Sequence, residues 1–294
     1  MPDQTRKIAQ RKLGIVAGSG PLPVALAQDA LSAGREVFII GIEGEASPDI
    51  SRYPHDWCRI GALGRFINLL KDNGCEDVVL IGPIHRPDIR KVIPDAMGLR
   101  LLPRFIGLMR KGDDGLLKGI ISLLEHDHGF RVIGAHEVSQ SLLAPQGAIG
   151  RLTPDEEQRA DINIAIRAVL AIGALDIGQG AVAVRGIVLA LEAAEGTDAM
   201  LARLDQIAPA LRGNVANRAG VLVKLAKPGQ ERRIDLPTIG VKTIEGAAAA
   251  GLAGIAIEAG NALISDALAV ARAADKAGLF VIGLSADDIA RAKS

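Results

Sequence analysis

Short apolar runs alternate with helically spaced apolar positions through the first half of the chain. LGIV (13–16) predicts a strand that runs into the turn Gly18-Ser19-Gly20-Pro21, and a helix follows over 22–33, stopped at Gly34. A second strand is expected over 37–42, then a helix over 62–73 that ends at Asn73-Gly74, then the strand DVVLI (77–81) and the polar turn GPIHRPD. Helical spacing returns at 99–110 and 115–126, and 130–134 reads as a strand. Strand–helix alternation of this kind implies a parallel, Rossmann-like sheet. Its connections are right-handed, and ligands meet the carboxyl ends of the strands.

The pattern breaks around 140–153, where Pro145, Gly147 and Gly150 interrupt it. Beyond it, Thr153-Pro154-Asp155-Glu156 opens a helix with a cap and acidic first-turn residues, running to about residue 172. Residues 179–184 and 187–192 are apolar runs around Arg185-Gly186, which suits a hairpin. Helices are expected over 197–204, 243–250 and 266–277, and strands over 221–225, 254–258 and 280–283. The fold class is therefore α/β: a Rossmann-like parallel-sheet domain followed by an α/β domain with a mixed sheet. The expected boundaries are 1–142 (with 1–10 as an extension), 143–153 for a linker, and 154–294 for a catalytic C-terminal domain.

Composition narrows the function. With 294 residues, of which 49% are hydrophobic and 23% charged, the chain has material for two real cores and is not a disordered polymer. Only 2% are aromatic, too few for a platform that stacks single-stranded bases, and 34 basic residues balance 34 acidic ones, so no nucleic-acid footprint exists. Cys58 and Cys75 have neither metal-ligand spacing nor a disulfide framework, which points to a reducing compartment, the cytoplasm. The polar, basic start lacks the apolar core of a signal peptide, and the apolar stretches at 162–175 and 247–257 fall short of a membrane span. Contact with a membrane surface stays open.

Several segments carry candidate chemistry. Gly18-Ser19-Gly20 lies between a strand and a helix, where backbone N–H groups can cradle a phosphate. A tight turn without a ligand fits about as well, and Pro23 replaces the third glycine of the dinucleotide fingerprint. In GPIHRPD, Arg86 suits a bidentate phosphate clamp and His85 a donor to a base or sugar, against a rigid proline turn. Lys111-Gly112-Asp113-Asp114 reads first as a helix cap and second as a cation or ribose contact. His126, His128 and His136 suggest a metal cluster only in print, because His126 and His128 are two residues apart and diverge on a helix. Glu192, Glu195 and Asp198, three carboxylates within seven residues, can form an oxygen site for magnesium; an ordinary N-cap with scattered surface acids carries equal weight.

The segment from Lys224 to Gly240 stands out. Lys224, Lys227, Arg232 and Arg233 concentrate positive charge around Gly229 and Gln230, and Asp235 follows, held by Leu236-Pro237 in an extended turn. Phosphoryl chemistry needs cations for the anionic oxygens and a carboxylate to hold a metal or orient water; both are here.

Seven motifs now stand in order: VAGSGPLP (16–23), GPIHRPD (82–88), RKGDD (110–114), GAHEV (134–138), LDIGQGAV (175–182), E-x-x-EGTD (192–198) and K-x-x-KPGQ followed by DLPTIG (224–240). Together they resemble the LpxI-type UDP-2,3-diacylglucosamine pyrophosphatases of the lipid A pathway, from Leu13 to about Gly283. The resemblance implies hydrolysis of UDP-2,3-diacylglucosamine to UMP and 2,3-diacylglucosamine 1-phosphate (lipid X), by magnesium-activated water attacking the sugar-side phosphorus, with other divalent cations left open. It implies Asp235 as the essential acid, and the chemistry of a pyrophosphate then has Asp235 bind the metal or orient water while Lys224 and Lys227, as catalytic cations, offset the phosphate charge together with Arg233. Gly18, Ser19, Gly20, Leu22, Arg86, Lys111, Gly112, Asp113 and Asp114 would hold the substrate. Gln179, Gly180, Glu195, Thr197, Gln230, Arg233 and Thr238 would line the site. It further implies a homodimer, and a lipid substrate that leaves peripheral contact with the inner membrane open. The chain departs from the family pattern at Ser19, for a third glycine in the first turn, and at Glu231, where an Asp often follows KPGQ; His85 occupies a variable position. Two other readings compete: a nucleotide-binding Rossmann-like oxidoreductase, against which the broken glycine fingerprint counts, and a non-catalytic nucleotide-binding regulator.

Overall fold

The structure, a computed structural model, describes residues 11–85, 92–109 and 113–293. The chain divides into two compact units. One holds the described residues up to Gln140 together with Glu231–Asp235; the other holds Ser141–Gln230 and the chain from Leu236 onward.

In the first unit the elements run β1 (Leu13–Ala17), α1 (Leu22–Ser32), β2 (Val37–Ile42), β3 (His55–Cys58), α2 (Leu63–Asp72), β4 (Asp77–Ile81), α3 (Ala96–Met109), α4 (Asp113–Ser122), β5 (Arg131–Val132) and a short α5 (Ala135–Val138). The sheet order is β3-β2-β1-β4-β5, and every pairing is parallel. This is the expected Rossmann-like sheet. β1 is central, buried along its whole length, and Leu13 pairs with both Val37 and Asp77. Because β1 has β2 on one side and β4 on the other, the strand order reverses there, the place where open α/β sheets take their ligands. Phe66, Ile67 and Leu70 of α2 pack with Val16, Ile40, Val78 and Leu124 in one core layer, while Leu26, Ala27 and Ala30 of α1 are buried as well. The polar strand β3 (HDWC) was not among the predicted elements. It is an edge strand, so its pairing to β2 (Ile39 with His55) needs no apolar alternation.

In the second unit the elements are β6 (Gly147–Ala148), α6 (Glu156–Ala174), β7 (Gly180–Val184), β8 (Ile187–Leu191), α7 (Gly196–Ala202), β9 (Val221–Lys224), β10 (Thr238–Ile239), α8 (Val241–Ala249), β11 (Gly254–Glu258), β12 (Leu263–Ile264), α9 (Ala267–Ala277), β13 (Phe280–Leu284) and α10 (Ala286–Lys293). Six strands form the mixed sheet β6-β13-β11-β9-β7-β8. β9, β11 and β13 are parallel, and β7 runs antiparallel to β9. Ile162 and Ile166 of α6 and Ile289 of α10 cover one set of sheet residues; Ile244 of α8 and Val270 of α9 cover the other. A minor parallel pair joins β10 and β12.

Local chemistry accounts for the ends of these elements. The cap of α6 is Asp155 rather than Thr153: Asp155 accepts from the Gln158 N–H, and Gln158 reaches back to the Asp155 N–H. The β7–β8 hairpin turns at Arg185 (φ 47°) and Gly186 (φ 85°), both left-handed, and the buried Asp161 carboxylate accepts both turn N–H groups at 2.9 and 2.7 Å. The aperiodic stretch around 140–153 carries β6, which borders β13.

Candidate active site

At the strand-order reversal of the first unit, the loops after β1 and β4 are laced together. Gly18 donates its N–H to Ile81 O at 2.9 Å, and the Ser19 N–H and hydroxyl both donate to Pro83 O, at 2.8 and 2.7 Å. Neither glycine flank tolerates a side chain: a Cβ on Gly18 would lie 2.3 Å from Gly82 O, and one on Gly82 (φ 92°) 2.6 Å from Ser19 O. The Ser19 donors that a phosphate cradle would use are thus engaged within the protein. Leu22 opens α1 directly after Gly20 and Pro21. His85 turns toward Glu45, whose two carboxylate oxygens lie 3.2 Å from the His85 N–H and 2.9 Å from Nδ1. Glu45 was missed in the sequence reading; its one signal is an acid just beyond the second strand, close to Glu43. Arg86, Lys111 and Gly112, like the extension 1–10, lie outside the described residues, and Asp113 and Asp114 are the first two residues of α4.

The first unit also contains the turn Glu231–Asp235. Asp235 donates its N–H to Glu231 O at 3.1 Å, and Ile234 packs on the first unit's core. Arg233 holds Glu231 with two nitrogens at 2.9 and 3.0 Å and gives a third bond to Glu125 at 2.8 Å. The Arg233 hydrogen bond keeps the Glu231 carboxyl below its usual range, burial opposing, and its acidic partners push the Arg233 guanidinium up. Arg233 therefore serves two carboxylates in this structure.

In the second unit, Lys224 ends β9 and is only 5% exposed. Its Nζ donates to Thr197 Oγ1 at 2.7 Å and to Thr238 O at 3.4 Å. Thr197 in turn donates to Glu192 Oε1 at 2.9 Å. Glu192 follows β8, is 6% exposed, and among the described residues has no donor for its Oε2; the buried Gln179 Oε1 also has none. Gly180, opposite Lys224 in the β7–β9 pairing, leaves room for this carboxylate: a Cβ there would lie 2.4 Å from Glu192 Oε2. Lys227 pairs with Asp176 at 2.6 Å, and its N–H donates to Gln230 Oε1 at 2.7 Å. Gln179, Gly180, Thr197, Lys224 and Thr238 thus come together around the carboxyl end of β9.

The three-carboxylate magnesium site is corrected. Glu192 faces Thr197, whereas Glu195 pairs with Arg203 at 3.0 Å and Asp198 with Lys242 at 2.6 Å. Seven residues of chain bend around the start of α7 and send the acids apart. Among the described residues no three His, Cys, Asp or Glu side chains group as a metal site, the histidines included. Cys58 and Cys75 are buried, and burial pushes the Cys75 thiol up to about 11. No helix among the described residues is long and apolar enough to cross a membrane.

A parallel sheet with laced loops at its order reversal, and a mixed sheet with a buried lysine at a strand's carboxyl end, define a two-unit α/β protein. Residues 12–142 match the family model of the LpxI N-terminal domain, and residues 145–282 match that of the LpxI C-terminal domain. The UDP-2,3-diacylglucosamine pyrophosphatase LpxI of Caulobacter vibrioides is 48% identical over 274 residues, covering 93% of this chain and 98% of that relative. The chain belongs to the LpxI family.

Proposed function

We propose that the protein hydrolyses UDP-2,3-diacylglucosamine to UMP and 2,3-diacylglucosamine 1-phosphate, a step of lipid A biosynthesis. The name and high identity of the relative over nearly its whole length support this reaction. The observation that carries it is Lys224, a buried ammonium fixed at the carboxyl end of β9, where a pyrophosphate oxygen can be met by a preorganised cation.

The roles follow from the chemistry of each group. Lys224 and Lys227 offset pyrophosphate charge; Asp235 orients the attacking water. Gly18, Ser19, Gly20, Leu22, Arg86, Lys111, Gly112, Asp113 and Asp114 hold the substrate, and Gln179, Gly180, Glu195, Thr197, Gln230, Arg233 and Thr238 line the site. Magnesium takes hard oxygen ligands and is usually held by one or two carboxylates with substrate phosphates completing its shell, a donor set that the Asp235 carboxylate fits. When bound, the cation supplies charge neutralisation and a more acidic water. We place the protein in the cytoplasm as a homodimer that meets its lipid substrate at the inner membrane surface; sedimentation and vesicle flotation test those two statements.

The test is direct. With UDP-2,3-diacylglucosamine and Mg²⁺, the protein releases UMP and the sugar 1-phosphate in equal amounts, and EDTA stops it. In ¹⁸O-water the label enters the sugar phosphate; label in UMP contradicts sugar-side attack. Absence of UMP contradicts the reaction itself.

A further inference from the structure

We propose that Glu192 is a positioning residue that fixes the Lys224 ammonium through the Thr197 hydroxyl; the proposal rests on the hydrolase reading and the role it gives Lys224. The relay has only one consistent direction. An ammonium can only donate, so Thr197 Oγ1 must accept from Lys224, and the single hydroxyl proton must then go to Glu192 Oε1, at 2.9 Å. Glu192 therefore sets which way Thr197 points its lone pairs, and Thr197 sets where the ammonium sits.

Burial raises the stakes of this arrangement. Lys224 and Glu192 are 5% and 6% exposed, and a buried cation needs a compensating anion. Glu192 has that role at one hydroxyl's remove, and its own position is fixed by its N–H bond to Gly180 O at 2.8 Å and by the missing side chain of Gly180. A carboxylate kept for packing alone would have both oxygens satisfied. Here Oε2 has no donor among the described residues, and the relay through Oε1 is the carboxylate's one side-chain bond. With Thr197 and Thr238 O accepting two of the three ammonium protons, the third has no acceptor among the described residues and is open to a ligand oxygen.

The experiment measures kcat and KM for UMP release by wild type, Thr197→Val, Thr197→Ser, Glu192→Gln and the Glu192→Gln/Thr197→Val double variant, with thermal midpoints read in parallel. Thr197→Val is expected to lower kcat roughly 10- to 100-fold while KM moves by less than about three-fold, as for a displaced reacting group. Thr197→Ser, which keeps the hydroxyl, recovers most of that loss. Glu192→Gln also lowers kcat, and the double variant is no worse than Thr197→Val alone, because both changes break one relay. Losses that multiply in the double variant overturn the proposal, as does a Thr197→Val enzyme within about three-fold of wild type. If Glu192→Gln fails to fold, Glu192→Asp, which keeps the charge but withdraws the oxygen from Thr197, takes its place in the cycle with the same expected and overturning results. No UMP from wild type is a different result: it removes the hydrolase reading on which the proposal stands.

Discussion

Asp77 and Glu192 are both buried acids, yet their settings differ. Asp77, wholly buried at the amino end of β4, is held by Arg35 and by a two-bond contact from Arg131 at 2.7 and 2.8 Å, with Arg11 at 3.6 Å. Burial draws the Arg35 guanidinium down and Asp77 opposes it, so losing the carboxylate strands a cation that is 6% exposed. Asp77→Ala is therefore expected to cost about 3–5 kcal/mol, read from urea midpoints, with activity per folded molecule retained. The laced loops lie at the other, carboxyl end of the same strands. Neither acid's setting was legible in the sequence: the partners of Asp77 come from positions 11, 35 and 131, and the burial of Glu192 depends on a glycine across the sheet. Asp235 was singled out from charge and turn residues alone, and Asp235→Asn is expected to lower UMP release at least about 100-fold with little change in thermal midpoint.

At the scale of elements, strands buried on both faces announce themselves as apolar runs, which is why β1, β2, β4, β7, β9 and β11 were read from sequence. The edge strand β3 and the polar terminal helix α10 lack that signal and were missed. The turn after β1 was recognised by its glycines, but its partner was not: Ser19 spends both donors on Pro83 O, a contact 64 residues away in sequence. Gly82 has φ 92° and no room for a Cβ, so Gly82→Ala should destabilise the first unit by about 1–3 kcal/mol. It should also weaken UMP binding in calorimetry; unchanged stability and affinity would mean the loops tolerate separation.

For the whole molecule, the turn Glu231–Asp235 belongs with the first unit although its neighbours on both sides belong with the second. Spacing could not reveal this, because the partner of Arg233, Glu125, is 108 residues away. Glu231 is held below its ordinary value mainly by Arg233; Asp95 is held low because N–H donors at Gly98 and Arg65 outweigh burial. Carboxyls depressed in the folded state stabilise it fully above their unfolded values near about 4, and that contribution is lost as pH falls through the lower folded values. The thermal midpoint should therefore drop steeply below about pH 4, and Glu231→Gln should flatten part of the drop. The measurement that bears most directly on function sets wild type beside Asp235→Asn in one UMP-release assay with UDP-2,3-diacylglucosamine and Mg²⁺. Steady UMP release from wild type and almost none from the equally folded variant is the predicted result; equal release from both, or none from wild type, would contradict it.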